Sequence, residues 1–320
     1  MPILPRRRDD IDLPDHFAKT ATNADFLLHA TDHNKIMIFA TDENLRHLAA
    51  VDVYYCDGTF SMCPSLFYQM YTIHAFVDGK MSPLVYGLLP DKKQSTYTDF
   101  FRPLKQNAAG HSINLRPSTF FSDFEKGAQN AAKEVIQCEL KGCMFHYRQA
   151  LVKHARNCGL QGAYKNDDNV RTFVRRALAL SLVRVCDVEN FWCCALLVLF
   201  ADYVTEQRVE GGELLLWNHF DTDGPRTTNH VEGWHSHLNT LSACHPNLFK
   251  FVDLLKQQQS RVEITISQLQ NGGSRHPRKK LYRALDDRLT VLKMRLVNGT
   301  YTPDAYGDLV SDLVGVPVLV

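Results

Sequence analysis

The apolar positions of this chain change character near Val51. From there to about residue 90 they form short continuous runs rather than helical stripes. "LFYQMYTIHAFV" (66–77) is rich in aromatic and β-branched residues and too apolar to be half-exposed, which predicts a strand covered on both faces. "MSPLVYGLLP" (81–90) follows across Asp78-Gly79-Lys80, and an Asp-Gly between two strand-like runs predicts a hairpin turn. An earlier Asp-Gly, Asp57-Gly58 in "VYYCDGTFSM", admits two readings: a tight turn, or one continuous strand with a carboxylate in its interior. Because the later pair supplies the turn, the strand is the better account of Asp57.

Helical spacing then takes over in alternation. Residues 95–109 place Tyr97, Phe100, Phe101 and Leu104 on one face. "STFFSD" (118–123) reads as a short buried strand, "FEKGAQNAAKEVIQCEL" (124–140) as a helix and "GCMFHY" (142–147) as a strand. Three strands in a meander followed by strand–helix–strand units predict a mixed five-stranded α/β sheet flanked by helices. Beyond Tyr147 the pattern is helical, with "VENFWCCALLVLFADYV" apolar nearly all round. Further helices fit 247–269 and 281–297, separated by the basic loop "NGGSRHPRKKLYR". Before Val51, "KIMIFA" leads into "TDENLRHLAA", where Thr41 suits a helix N-cap. The expected organisation is a flanking region (1–50), the first part of the core (51–147), a helical insertion (148–225), a helix closing the core (226–245) and a helical C-terminal region (246–320).

Composition narrows the class without naming a function. A 320-residue chain with 45% hydrophobic and 22% charged residues can bury a sizeable core. A net charge of +1 gives no global basic field, so any nucleic-acid argument rests on local charge. The basic "MPILPRRRDD" lacks a following apolar segment and is not expected to be a secretory signal. No uncharged run suggests a membrane span. Nine cysteines in no paired pattern predict reduced thiols in an intracellular compartment.

Three acids stand at telling places: Asp57 in the first strand, Asp123 ending "STFFSD", and Glu232 in the opening turn of the helix in "TTNHVEGWHSHLN". The first strand and the strand after the first helix are expected neighbours, which would bring their acids to one end of the sheet. Converging carboxylates repel unless a divalent ion intervenes, and oxygen ligands suit Mg²⁺ or Mn²⁺. Two such ions would serve phosphodiester chemistry, with Gly58 leaving room beside the first carboxylate. Each acid also has a local reading: Asp57 as a turn residue, Asp123 as a helix N-cap, and Glu232 as half of a capping box with Asn229.

"DGTF", "FFSDFEKG", "GCMFHYRQ" and "TTNHVEGWHSHLN", in this order, resemble the transposase domain of the Mutator-like element (MULE) family. The likeness runs from about Val51 to Leu241, and "FATDENLRHLAAVDVYYCDGTF" and "LFYQMYTIHAF" resemble the animal, FLYWCH-associated members. The resemblance implies an RNase H-like fold with a DDE triad and a helical insertion before the glutamate. It places the triad on Asp57, Asp123 and Glu232, and the family's C-x-x-H motif on Cys143 and His146. The implied activity is metal-dependent cleavage and strand transfer of DNA, in the nucleus, with transposon ends and target DNA as partners and a homo-oligomer as a candidate assembly. Alternatives are a domesticated, catalytically silent DNA-binding or scaffold protein, and a nuclease of the same fold without strand transfer. The family usually reads element ends with a separate zinc-binding domain; none is recognisable in this sequence, which fits a piece of a longer protein, a degenerate copy, or a member that relies on a partner.

Other residues are candidates for supporting roles. Cys143 and His146 are half of a zinc site, with His219, His230, His235 and His237 as sources of further ligands; the other reading is a buried thiol and an orienting histidine. On the late helix, Val231, Trp234, Leu238 and Leu241 predict the packed face, leaving His235 and Asn239 beside Glu232 to support the carboxylates or contact DNA, against the simpler reading of a solvated helix face. The cluster Arg275, Arg278, Lys279, Lys280 and Arg283 is a candidate phosphate contact, against a merely solvated loop.

Overall fold

The fold was analysed in a computed structural model that describes residues 3–32, 35–192, 198–273 and 280–314. The chain divides into two compact units, residues 1–140 with 228–275, and residues 141–227 with 276–320.

The first unit is built on a mixed seven-stranded sheet. Its strands are β1 (Leu27–Ala30), β2 (Met37–Phe39), β3 (Val53–Thr59), β4 (Gln69–Val77), β5 (Lys80–Leu89), β6 (Thr119–Ser122) and β7 (Glu139–Gly142), in the order β1-β2-β5-β4-β3-β6-β7. β3, β4 and β5 form the expected antiparallel meander, and β6 joins β3 in parallel. The β4–β5 hairpin turns on Asp78 (φ 50°) and Gly79 (φ 79°), two positive-φ residues whose twist matches that of the strands. Asp57 and Gly58 instead sit inside β3, opposite Thr72 and Tyr71 of β4.

Seven strands replace the five expected. The additional pair, β1 and β2, comes from the first fifty residues and extends the sheet from β5. Strands of three and four residues are too short to show a period, and only their partners make them strands. The expected strand at 142–147 is also displaced: β7 ends at Gly142, and a helix starts at Met144. The aromatic residues of "GCMFHY" read as strand, but Tyr147 and Leu151 are buried four apart on a helical face.

The central strands are apolar throughout because both faces are covered. One face carries Tyr54, Cys56, Tyr71, Ile73 and Val85 against α3 (Gln94–Gly110) and α4 (Lys126–Val135). α3 contributes Tyr97, Phe100, Phe101 and Leu104, the stripe its sequence predicts, and each such side chain buried stabilises by roughly 1.5–3 kcal/mol. The other face carries Met37, Phe39, Met70, Tyr86 and Leu88. Against it pack residues of α11 (Asn229–Leu241) and of α12 (Leu248–Gln270). The remaining helices of this unit are α1 (Asp15–Ala18) and α2 (Asp42–Ala49), whose N-cap Thr41 accepts from Asn44 N at 3.1 Å as expected.

A buried amide pair fastens α12 to α2. Asn44 Nδ2 donates to Gln259 Oε1 and to the Leu84 carbonyl, and Gln259 Nε2 donates back to Asn44 Oδ1, each at 2.9 Å. Both side chains are buried, so Gln259→Leu strands the Asn44 carbonyl oxygen without its donor. The expected loss is about 2 kcal/mol, read from urea unfolding, with a smaller loss in the Asn44→Leu/Gln259→Leu double variant than the two single losses added together.

The second unit is helical. It comprises α5 (Met144–Asn157), α6 (Gln161–Asn166), α7 (Asp168–Ala179), α8 (Val188–Trp192), α9 (Val198–Val204), α10 (Leu214–Trp217), α13 (Lys280–Val297) and α14 (Pro303–Val314). Phe173 of α7 packs on Trp192 at 4.9 Å, and Tyr306 of α14 donates to the Leu182 carbonyl at 2.8 Å. The region from 246 is thus shared, α12 falling in the first unit and α13 and α14 in the second. No described helix is long and apolar enough to cross a membrane.

Candidate active site

The register of the sheet decides where the first two acids fall. Across the parallel β3–β6 pair, Val53 faces Thr119, Tyr54 faces Phe120 and Tyr55 faces Phe121. The same offset continued by two residues sets Asp57 level with Asp123, just beyond the end of β6. Side chains two apart on a strand share a face, so Asp57 follows Tyr55, whose ring stacks on Phe121 (5.1 Å between centroids), and Asp123 stands just past the last residue of β6. Asp57 is held locally by Gly58 N, which donates to its Oδ1 at 2.9 Å. Asp123 Oδ1 accepts from Glu125 N at 3.3 Å, and its carbonyl accepts from Gln129 Nε2 at 2.9 Å.

Gly58 serves the opposite face from the one expected. A Cβ there would lie 2.4 Å from Oε1 of Gln69, a fully buried side chain on the α3 side that donates to the Tyr97 hydroxyl at 2.7 Å. The glycine therefore makes room for Gln69 rather than beside the carboxylate. Alternation along the strand puts residues 57 and 58 on different faces.

α11 supplies the third acid. Val231 packs with Tyr55 and Phe121, and one turn later His235 Nδ1 lies 3.3 Å from Asp57 Oδ2, so the helix runs along β3 in the same direction. Trp234 meets His74 and Tyr86, and His230 meets Phe76, which puts the 230/234 flank over β4 and β5. At roughly 100° per residue Glu232 lies on the other flank, the one toward β6 and Asp123. The Glu232 side chain is half-buried, with Oε1 shielded from solvent. Thr228 rather than Asn229 is the N-cap of α11 and makes no side-chain cap bond, so the capping-box reading does not hold.

The packed face of α11 differs in one respect from the predicted stripe. Val231 and Leu238 are buried, but Leu241 is 39% exposed and His235 only 5%. On the helical wheel His235 falls between Val231 and Glu232, inside the buried arc, whereas Leu241 falls at its rim. Asn239 stands at the surface and accepts from Ser61 Oγ at 2.7 Å.

Thr72 and His74 are absent from the sequence reading, yet both are fully buried on the face that bears Asp57. Their signal was available: in "QMYTIHAFV" two polar residues recur at period two within an apolar strand. Asp57, Asp123 and Glu232 are each hard oxygen donors of the kind that suits Mg²⁺ or Mn²⁺ rather than a thiophilic ion, but among the described residues the three are not gathered within 4.8 Å of one another.

The remaining candidates are divided between the two units. Cys143 is fully buried as the N-cap of α5, and a His146 ring nitrogen lies within 4.8 Å of its Sγ. His219 makes an internal bond, its Nε2 donating to the Gly142 carbonyl at 2.8 Å. His230 and His235 lie in the first unit against Phe76 and Asp57, and His237 is exposed. Lys280 and Arg283 are exposed at the start of α13, while Arg275, Arg278 and Lys279 lie outside the described residues.

Burial, then the nearby Lys141 ammonium, pushes the His219 pKa down to about 3. The unfolded imidazole takes a proton near its usual value, so the unfolded state binds more protons between about pH 6.5 and 3. This contribution to stability is complete above that window and is lost as pH falls through it, at up to about 1.4 kcal/mol per pH unit. His219→Gln should flatten the acid limb of a thermal-melting curve recorded from pH 7 to pH 4; an unchanged limb would contradict the assignment.

Residues 53–150 match the MULE transposase domain. No curated protein matches the chain. The matched stretch starts with β3, spans Asp57, Asp123, Cys143 and His146, and ends within α5, before Glu232. The likeness is to the MULE transposase domain over that stretch and does not distinguish the animal FLYWCH-associated type.

Proposed function

We propose that this chain is the catalytic domain of a DDE-type transposase, RNase H-like in fold, that cleaves DNA phosphodiesters and transfers the freed strand. The observation that carries the reading is the β3–β6 register, which sets Asp57 level with Asp123 beneath the helix that bears Glu232. The RNase H-like assignment rests on the order β5-β4-β3-β6-β7, an antiparallel meander continued by a parallel strand.

In this reading Asp57, Asp123 and Glu232 hold two Mg²⁺ or Mn²⁺ ions. When bound, the ions supply Lewis-acid activation of a water or 3′-hydroxyl and stabilise the leaving oxygen. The protein's own part is positional: strands and a packed helix fix the carboxylates, and Gly58 N orients the first of them. No side chain acts as a covalent nucleophile. DNA is the expected partner and the nucleus the expected compartment. A cleft of about 610 Å³ supports this, lined by Arg6, Arg7, Arg8, Lys35 and Tyr68 among others, where β5 ends and β4 begins. Asp57 lies toward that end of β3, and cations beside an exposed aromatic suit a DNA strand.

The test is incubation of the purified chain with supercoiled plasmid and a 3′-hydroxyl oligonucleotide, with Mn²⁺ and with EDTA. Nicked plasmid and joined oligonucleotide in Mn²⁺ alone are expected. Nicking without joining would reduce the activity to that of a nuclease, and DNA binding with no cleavage in any divalent ion would leave a silent binding protein.

A further inference from the structure

Behind Asp57 lies a polar chain that the chemistry above does not use. His74 Nε2 is 3.0 Å from Thr72 Oγ1, Thr72 Oγ1 is 3.0 Å from His235 Nε2, and His235 Nδ1 is 3.3 Å from Asp57 Oδ2. The links come from β4, α11 and β3, with Trp234 closing over the His74 ring at 5.2 Å. Polar groups packed this deeply among aromatic rings are costly to keep unless their hydrogen bonds are arranged to one end.

The direction of the chain follows from an orphaned atom. His74 Nδ1 is buried without a hydrogen-bond partner. Burial, and then the His235 imidazole, hold the His74 pKa well below its usual value, so the ring is neutral and carries one proton. On Nδ1 that proton would be a buried donor with no acceptor; on Nε2 it bonds to Thr72. Thr72 Oγ1 therefore accepts from His74, and its single hydrogen is left for His235 Nε2 or for the Asp57 carbonyl, 3.2 Å away. If it went to the carbonyl, a neutral His235 would carry its proton on Nε2 and turn a bare Nδ1 lone pair toward the Asp57 carboxylate. If it goes to Nε2, His235 presents Nδ1–H to that carboxylate.

We propose that His74, Thr72 and His235 form a positioning chain that holds the Asp57 carboxylate in one orientation for ion binding, with Thr72 the hub that selects the His235 tautomer. The inference rests on Asp57 being an ion ligand, and it adds three positioning residues to that site. Removing a partner that fixes the tautomer and orientation of a ligand typically costs about ten- to a hundredfold in metal affinity.

Thr72→Val keeps the side-chain shape and removes the hub; Thr72→Ser restores the hydroxyl and controls for packing. Two readouts are taken on the full chain: Mn²⁺ affinity from the electron-paramagnetic signal of the free ion, and the ¹⁵N shifts of the His235 ring. The wild type should show His235 protonated on Nδ1. Thr72→Val should lose that single tautomer and bind Mn²⁺ about ten- to a hundredfold more weakly, with Thr72→Ser recovering both. A wild-type His235 protonated on Nε2, or a Thr72→Val protein with unchanged tautomer or unchanged Mn²⁺ affinity, would overturn the proposal. Failure of the wild type to bind Mn²⁺ at all would instead sink the ion-binding reading of Asp57, and the ring shifts would still decide the direction of the chain.

Discussion

Asp57→Asn is expected to lower Mn²⁺-dependent plasmid nicking by on the order of a thousandfold or more, equivalent to about 4 kcal/mol of transition-state stabilisation. The substitution keeps the shape of the side chain and leaves its oxygen able to accept from Gly58 N, so the local backbone has no reason to move. What it removes is the charge. An ion shared between carboxylates loses one of its anionic ligands, and the amide nitrogen cannot replace it. Stability in the absence of ions should fall modestly, because the amide nitrogen that replaces one carboxylate oxygen cannot accept from His235 Nδ1. The two effects separate in a melting experiment. Mn²⁺ should raise the transition temperature of the wild type, as a ligand specific for the folded state must, and should leave that of Asp57→Asn unmoved. A variant that still nicks at the wild-type rate would remove Asp57 from the chemistry.

Trp217→Ala is expected to cost the second unit about 3–5 kcal/mol, the largest stability loss among the substitutions considered. Trp217 is 1% exposed and lies nearly parallel to Tyr147, 5.0 Å between centroids and 17° between planes. Tyr147 in turn donates to the Ala177 carbonyl at 3.1 Å, joining α5 to α7. Removing the indole opens a cavity beside this junction, and α10, a single turn of four residues, has few other anchors with which to close it. Leu215, in the same turn but 69% exposed, is the control, and Leu215→Ala should fall within about 0.5 kcal/mol of the wild type. Urea unfolding followed by circular dichroism distinguishes the two; equal midpoints would mean that Trp217 is not a core residue.

Much of this fold is written locally. The Asp78-Gly79 turn is legible because both central residues of such a turn need positive φ, which few residue pairs tolerate. The helix at 94–110 is legible because four large apolar residues recur at its period. The cap at Thr41 is legible because a hydroxyl beside a free amide is a local arrangement. Where local cues failed, they were short or mixed. β1 and β2 are strands because they have neighbours, and the start of α5 carries aromatic residues that suit either state.

The candidate site divides along the same line. Asp57 and Asp123 could be picked out in the sequence because each breaks or ends an apolar run, Glu232 because it opens a helix, and Cys143 and His146 through the C-x-x-H motif that the family resemblance implies. The relation between the acids could not, since it depends on how distant segments pair. Only the parallel register of β3 and β6 makes Asp57 and Asp123 level, and only the contacts of Val231, Trp234 and His230 give the flank on which Glu232 lies. His235 makes the point most clearly. Its spacing put it beside Glu232, on a face whose simplest reading was exposure to solvent. Packing turned that arc of the helix onto the sheet, because α11 must bury Val231 and Leu238 and His235 lies between them and Glu232. By itself, the sequence determined the central strands and helices, the turn and the candidate acids, all set by patterns within a few positions. The tertiary structure decided the partners of Asp57, the face served by Gly58 and the division of the chain into two units, because these follow from contacts between segments whose separation along the chain carries no information about their approach in space.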